Sequence, residues 1–252
     1  WFDSLLPIML VIAGGWLIVQ VAGVDVAGAV QAVFMPLQSA LTSPVGFVFF
    51  CFLKCFIYSM GISTWVLTPV DEPVKLAVIT ANLELVAAGV ATYQNLGIFT
   101  ETFMFCTYLW IGGVGCTLSL CLLMMVICKS SELKALGRAC IVPGIFNINE
   151  PIIFGAIAWN PLLMLPMWIQ GIILPIVTYI FTKVIPFAPI PRIQFDLWYC
   201  PYPISTFIAT QGSITGVIFA ILTFVLSAVI WFPFVKAYDD QKVKEETAAI
   251  KA

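Results

Sequence analysis

Histidine is absent from the 252 residues, and charged residues make up only 10% of them, against about 25% in a soluble domain. Without histidine, and with eight cysteines of which no two form a C-x-x-C pair, the ordinary ligand set for zinc is missing. Cys51, Cys55, Cys106, Cys116, Cys121, Cys128 and Cys140 lie in or beside apolar runs and read as small packing residues. The same absence removes a Ser/His/Asp triad, and no Ser/Lys or Asp/Asp constellation replaces it, so an intramembrane hydrolase lacks its machinery. Eleven Lys and Arg against thirteen Asp and Glu give a formal charge of −2, which leaves no basic surface for nucleic acid. The G-G-x-G of residues 112–115 is not followed by lysine and is not a phosphate loop. It reads as a site of close helix packing. No basic stretch precedes a short apolar run, so the first segment does not read as a signal peptide, and no cofactor motif is present.

What is abundant is apolar surface, at 62% of the chain. Several runs approach the roughly 20 residues needed to cross about 30 Å of hydrocarbon. Residues 5–24, 45–62, 103–128, 161–185 and 215–234 read as spans. The less apolar residues 25–41 fit an amphipathic helix on the membrane surface. Pro69 and Pro73, with Asp71 and Glu72 between them, argue against an uninterrupted helix there. The expected fold is therefore an all-α membrane protein of five transmembrane helices, with re-entrant hairpins and a surface helix. Its organisation would be a first span and surface helix over 1–42, a substrate-binding transport domain over 43–235 with hairpins near 61–82 and 141–161, and a cytosolic tail over 236–252. Lys129, Lys134 and Arg138, with Lys236, Lys242 and Lys244, place that loop and the C-terminus in the cytosol by the positive-inside rule. Counting back places Trp1 outside. That parity, and the start at Trp1, suggest a fragment of a longer chain.

The stretch PGIFNINEPIIFGAIAWNP, residues 143–161, holds one carboxylate, Glu150, among prolines and asparagines. Pro151 and Pro161 would each break a straight helix. Asn147, Asn149 and Asn160 carry amides that hydrocarbon does not tolerate unpaired. The segment lies between a cytosolic loop and a span that starts in the cytosol, so it enters and leaves by one side. Irregular backbone at membrane depth survives only where protein buries it or water reaches it. An acidic side chain at mid-membrane costs about 2.5–3.5 kcal/mol on insertion scales, which makes Glu150 a functional candidate. The plainer alternative is that it caps a half-helix beside Asn149 and Pro151.

GIFNINEPIIFG (144–155) with the following NP resembles the signature of enzyme IIC, the membrane subunit of phosphoenolpyruvate-dependent sugar phosphotransferase systems, in its lactose, cellobiose and chitobiose branch. FTETF (99–103), WIGGVGCTLSL (110–120), CKSSELKALGRACIVPG (128–144) and WFPFVKAYDDQ (231–241) extend the resemblance in order and spacing. It implies uptake of an extracellular β-linked disaccharide by an elevator-like movement. Phosphorylation on C6 would follow, with the phosphoryl group supplied by the cytosolic phosphorylated IIB subunit. It also implies that Glu150 holds the C6 hydroxyl and takes its proton, that no cofactor is needed, and that a homodimer forms largely through a first half this chain lacks. The family's histidine, in G-I-H-G, falls where this chain reads GISTW, so Ser63 stands in its place. A serine hydroxyl donates and accepts hydrogen bonds but is no base near neutral pH. This departure keeps a second reading open, a degenerate copy that binds sugar or a partner without transport. The expected substrate-binding set is Glu150, Asn149, Asn147, Ser63, Asn82 and Trp65, with Trp110 and Trp159 as further stacking candidates. Lys54 would pair with Glu84 or Glu101, or reach the surface along its own stem.

Overall fold

The computed structural model describes residues 2–22 and 38–251 and is all-helical, with no strand among them. The expected surface helix of residues 25–41 falls mostly on 23–37, outside the described residues. The chain divides into two units, Trp1–Ala40 and Leu41–Ala252. The first contains helix α1, Phe2–Ala22.

In the second unit the helices begin where sequence supplies caps. Helix α2, Pro44–Ser59, starts with proline at a position that needs no N–H, and Ser43 Oγ accepts from Gly46 N–H at 3.0 Å. A 3-10 turn, Thr64–Leu67, leads into α3, Thr68–Ala87. Helix α3 runs unbroken through Pro69 and Pro73, contrary to the sequence expectation. Pro69 lies in the first turn, where no backbone donor is lost, and Pro73 forfeits a single bond in a segment fastened by the ion pairs of Asp71 and Lys75. Then follow α4, Glu101–Cys106, α5, Thr117–Ile127, and α6, Ser131–Ile145. Helix α7, Glu150–Ile152, continues as a π-helical turn over Ile153–Ile157. Helix α8, Pro161–Tyr179, does the same over Ile180–Val184. The short α9, Ile204–Ala209, precedes the 38-residue α10, Ile214–Lys251.

Residues 103–128 are not one span. They divide into α4 and α5, with a non-helical stretch between them in which Gly112, Gly113 and Gly115 have φ of +82°, +93° and +88°. Three left-handed residues in four cannot continue a right-handed helix. The glycine cluster is thus a turn, and not the helix-packing face its composition suggested. Close packing occurs instead at Gly171 of α8, where a β-carbon would lie 2.9 Å from Phe52 Cα on α2.

Helix α8 packs against α2 and α10, and α5 against α6 and α10. A buried polar node joins three of them. Gln170 Nε2 donates to Ser227 Oγ at 2.8 Å, and Ser227 Oγ lies 2.7 Å from Ser119 Oγ. Among the described residues, 161–184 and 214–249 are the helices long and apolar enough to cross a membrane; 5–21, 44–59 and 117–127 are apolar but shorter. The hydrophilic end of the chain continues α10 rather than leaving it. Asp239 accepts from Ser130 N–H at 2.8 Å, and Glu246 from Glu132 N–H at 3.0 Å and Ser130 Oγ at 2.7 Å. Two carboxylates thereby satisfy the donors at the amino end of α6, where negative charge is favoured.

Candidate functional site

Helices α6 and α7 fold back on one another, since a β-carbon on Gly155 would lie 3.0 Å from Leu136 Cδ1. Residues 146–149 form the tip, with Asn147 in the left-handed region at φ +60°. Each tip amide is committed to the glycine turn. Asn147 Oδ1 accepts from Gly112 N–H at 2.7 Å, and Asn149 Nδ2 donates to Val114 O at 2.9 Å. Buried non-helical backbone needs such partners. Gly113 is required as well, because a β-carbon there would sit 2.4 Å from Asn149 Cγ. Asn147 also donates from Nδ2 to the carbonyl of Trp198, tying in the proline-rich loop of residues 185–203. That loop is fastened to α4 by Phe195 N–H on Thr102 Oγ1 at 3.0 Å.

Around this junction lies a cavity of about 330 Å³, within the roughly 300–1,000 Å³ typical of small-molecule sites. The hairpin supplies Asn147, Asn149 and Glu150; α2 supplies Lys54 and Tyr58; the turn before α3 supplies Thr64 and Trp65. Glu72 and Lys75 of α3, Glu101 and Phe105 of α4, and Asp196 and Trp198 of the proline-rich loop also line it, with Thr68 and the glycine turn's Gly113 and Val114. Glu150 is an exposed side chain that opens into this space. The Tyr58 hydroxyl donates to Asn149 Oδ1 at 3.3 Å and also faces the Glu150 carboxylate. A ligand hydroxyl placed beside Glu150 would therefore meet an acceptor that can take its proton, next to a phenol that can share the resulting hydrogen bonds.

One side of the cavity is an ion cluster around buried Lys54, Asp71 and Lys75. Lys54 lies 2.8 Å from Asp71, which is fully buried. Lys75 meets Glu101 at 2.6 Å, Glu72 at 2.7 Å and Asp71 at 3.5 Å. The Lys54 ammonium also stands 5.2 Å from the Phe50 ring centroid and 5.5 Å from that of Phe105. The expected pairing of Lys54 with Glu84 or Glu101 is thus corrected to Asp71, and Glu101 belongs to Lys75.

Of the residues singled out by sequence, Glu150, Asn149, Asn147 and Trp65 line the cavity together. Ser63 is exposed just outside the lining and caps its own turn, accepting from Trp65 N–H at 3.4 Å. Asn82 is buried and spends both ends of its amide on Gly97, at 2.8 and 2.7 Å. Trp110 is fully buried in the core, and Trp159 lies in a separate groove beside Tyr238. Sequence reasoning missed Asp71, Lys75, Tyr58, Asp196 and Trp198. A usable signal existed for the first two. Residues 44–128 hold six charged side chains, and all but Glu84 join this one cluster.

Two helices long and apolar enough to cross a membrane, with shorter apolar helices around a cavity of amides, carboxylates and indoles, fit the class of membrane proteins. Comparison with known proteins gives the family. That described as "Phosphotransferase system, EIIC" matches residues 1–171, and the chain belongs to it. The lactose-specific EIICB component of Lactococcus lactis is 34% identical over 228 residues, covering 89% of this chain and 39% of that protein. The cellobiose-specific EIIC component of Geobacillus stearothermophilus is 40% identical over 152 residues, 60% of this chain and 33% of that one. A crystal structure of the IIC component from an N,N′-diacetylchitobiose-specific phosphotransferase system superposes with a TM-score of 0.78 at 33% identity, covering 84% of this chain and 48% of that one. The chain thus spans less than half the length of each of these relatives.

Proposed function

We propose that this chain is the sugar-binding part of a phosphotransferase-system transporter that imports a β-linked disaccharide of the cellobiose, chitobiose or lactose type. The sugar would lie in the cavity with its C6 hydroxyl on Glu150. A cytosolic phosphorylated IIB subunit would supply the phosphoryl group: O6 would form the new bond to phosphorus as the bond to IIB breaks and its electron pair stays with IIB, and Glu150 would accept the hydroxyl proton. The observation that carries this reading is the juxtaposition of Glu150 with the Tyr58 hydroxyl and two anchored amides in one cavity, at the tip of a hairpin. In the same reading the hairpin is re-entrant from the cytosolic side, the C-terminus is cytosolic, and the remainder of the transporter supplies a homodimer contact. The family of the chain and the names of its relatives support the substrate class.

The test is Glu150→Gln, which keeps the size and most hydrogen bonds but removes the base. Phosphoenolpyruvate-dependent uptake should disappear while expression and sugar binding persist. Uptake at the original rate would rule out the role of Glu150.

Ser63 favours a second reading, a sugar-binding protein that does not transport. Its hydroxyl is occupied with a local cap, and it brings no base to the cavity. Restoring the family residue with Ser63→His should raise sugar affinity or phosphorylation if this position faces the ligand. Saturable binding without uptake, unaltered by that change, would favour the non-transporting reading.

A further inference from the structure

We infer that the cavity selects its sugar by charge and takes best a β-linked disaccharide bearing protonated amines, of the glucosamine type, in preference to a neutral one. The inference rests on the sugar-binding reading above and narrows its substrate class.

Two ammonium groups line the cavity, Lys54 and Lys75, against four carboxylates, Glu72, Glu101, Glu150 and Asp196. Buried Asp71 stands directly behind them, so with each side chain counted at its ordinary charge the site has a formal balance of −3. Neither lysine is available to an anion. Lys54 is taken by Asp71 at 2.8 Å, and Lys75 is surrounded by Glu101, Glu72 and Asp71 at 2.6, 2.7 and 3.5 Å. Neither of the chain's two arginines, Arg138 and Arg192, lines the space. Glu150 and Asp196 join no ion pair among the described residues.

The second observation is aromatic. Trp65 and Trp198 both open on the cavity, and an indole face attracts a cation as well as packing against a sugar ring. A neutral disaccharide makes no net use of this field. A protonated amine gains from it. Low-dielectric walls around a small cavity focus such a field instead of letting water disperse it. A single uncompensated charge a few ångströms away is then worth about tenfold in affinity.

The experiment is equilibrium titration of the purified full chain at low ionic strength and slightly acidic pH. Three ligands are compared: cellobiose, N,N′-diacetylchitobiose and its fully de-N-acetylated counterpart. The de-N-acetylated sugar should bind about tenfold tighter than its diacetyl parent, and the ratio should shrink in high salt. Asp196 is exposed and bonds through its side chain to Gln194, so it can be changed without opening the core. Asp196→Asn should lower the ratio about threefold, and Asp196→Lys should bring it close to one. Equal affinity for the amino and acetylated sugars, or a ratio indifferent to Asp196→Lys, would overturn the inference while leaving the sugar-binding reading intact. A rise in affinity for all three sugars on adding sodium, in place of choline, would overturn it too, because an inorganic cation would then be answering the charge. Failure of every disaccharide to bind would remove the sugar-binding reading and this inference with it.

Discussion

The two sides of the cavity use polar groups in opposite ways. On the side formed by α2, α3 and α4, charges are paired with charges. Lys54, Asp71, Lys75, Glu72 and Glu101 are joined at 2.6 to 3.5 Å, and Asp71 has no exposed surface. On the hairpin side the structural work falls to neutral amides, Asn147 and Asn149, which are spent on the backbone of the glycine turn. The one charge there, Glu150, joins no ion pair among the described residues. A charge held by close ion pairs is fixed in place, whereas an unpaired carboxylate on a rigid amide frame is free to act on a ligand. The ion-pair side therefore reads as a scaffold and the hairpin side as the working face.

The sharpest way to break that contrast is to unpair the scaffold. Asp71→Ala leaves both lysines without their shared buried partner, and removing one member of a buried ion pair costs about 3–5 kcal/mol. Loss of monodisperse protein, or a large drop in thermal unfolding temperature in detergent, is expected. Wild-type stability with altered sugar binding would instead make Asp71 a ligand-side residue and erase the distinction drawn here.

A smaller effect is expected where the hairpin meets the turn. Gly113→Ala forces a residue with a β-carbon into φ +93° and drives that carbon to 2.4 Å from Asn149 Cγ. The backbone strain alone is worth about 1–3 kcal/mol. Because Asn149 must move, and Glu150 follows it in the chain, sugar affinity should fall more steeply than stability. Equal losses of both would show that the tip does not depend on the turn for its alignment.

The break between α6 and α7 was legible from composition. Pro151, Asn147 and Asn149 are incompatible with a straight span, and a group that must be satisfied internally has few places to go. What could not be read was where those amides would find partners, because Gly112 and Val114 are 35 residues away in sequence. The same limit hid the ion cluster. Lys54 and Asp71 belong to different helices, and nothing local distinguishes Asp71 from Glu84 as a partner. The glycine cluster was misread for a different reason. Small residues serve close helix packing and left-handed turns equally well, and only the dihedrals separate the two. Ser63 and Asn82 were placed by resemblance; in this structure Ser63 bonds within its own turn and Asn82 to Gly97, 15 residues on.

The smallest expected effect provides the control for the whole comparison. Glu84 lies on the same helix as Asp71 and Lys75, is exposed, and joins no ion pair among the described residues. If the cluster draws its importance from burial and pairing rather than from the mere presence of charge on α3, then Glu84→Gln should change stability by no more than about 0.5 kcal/mol. It should also leave sugar affinity untouched, because Glu84 does not line the cavity. A substantial loss in either measurement would mean that α3 meets a partner through this face in the membrane. The contrast would then be one of interface against cavity, and no longer of paired scaffold against working face.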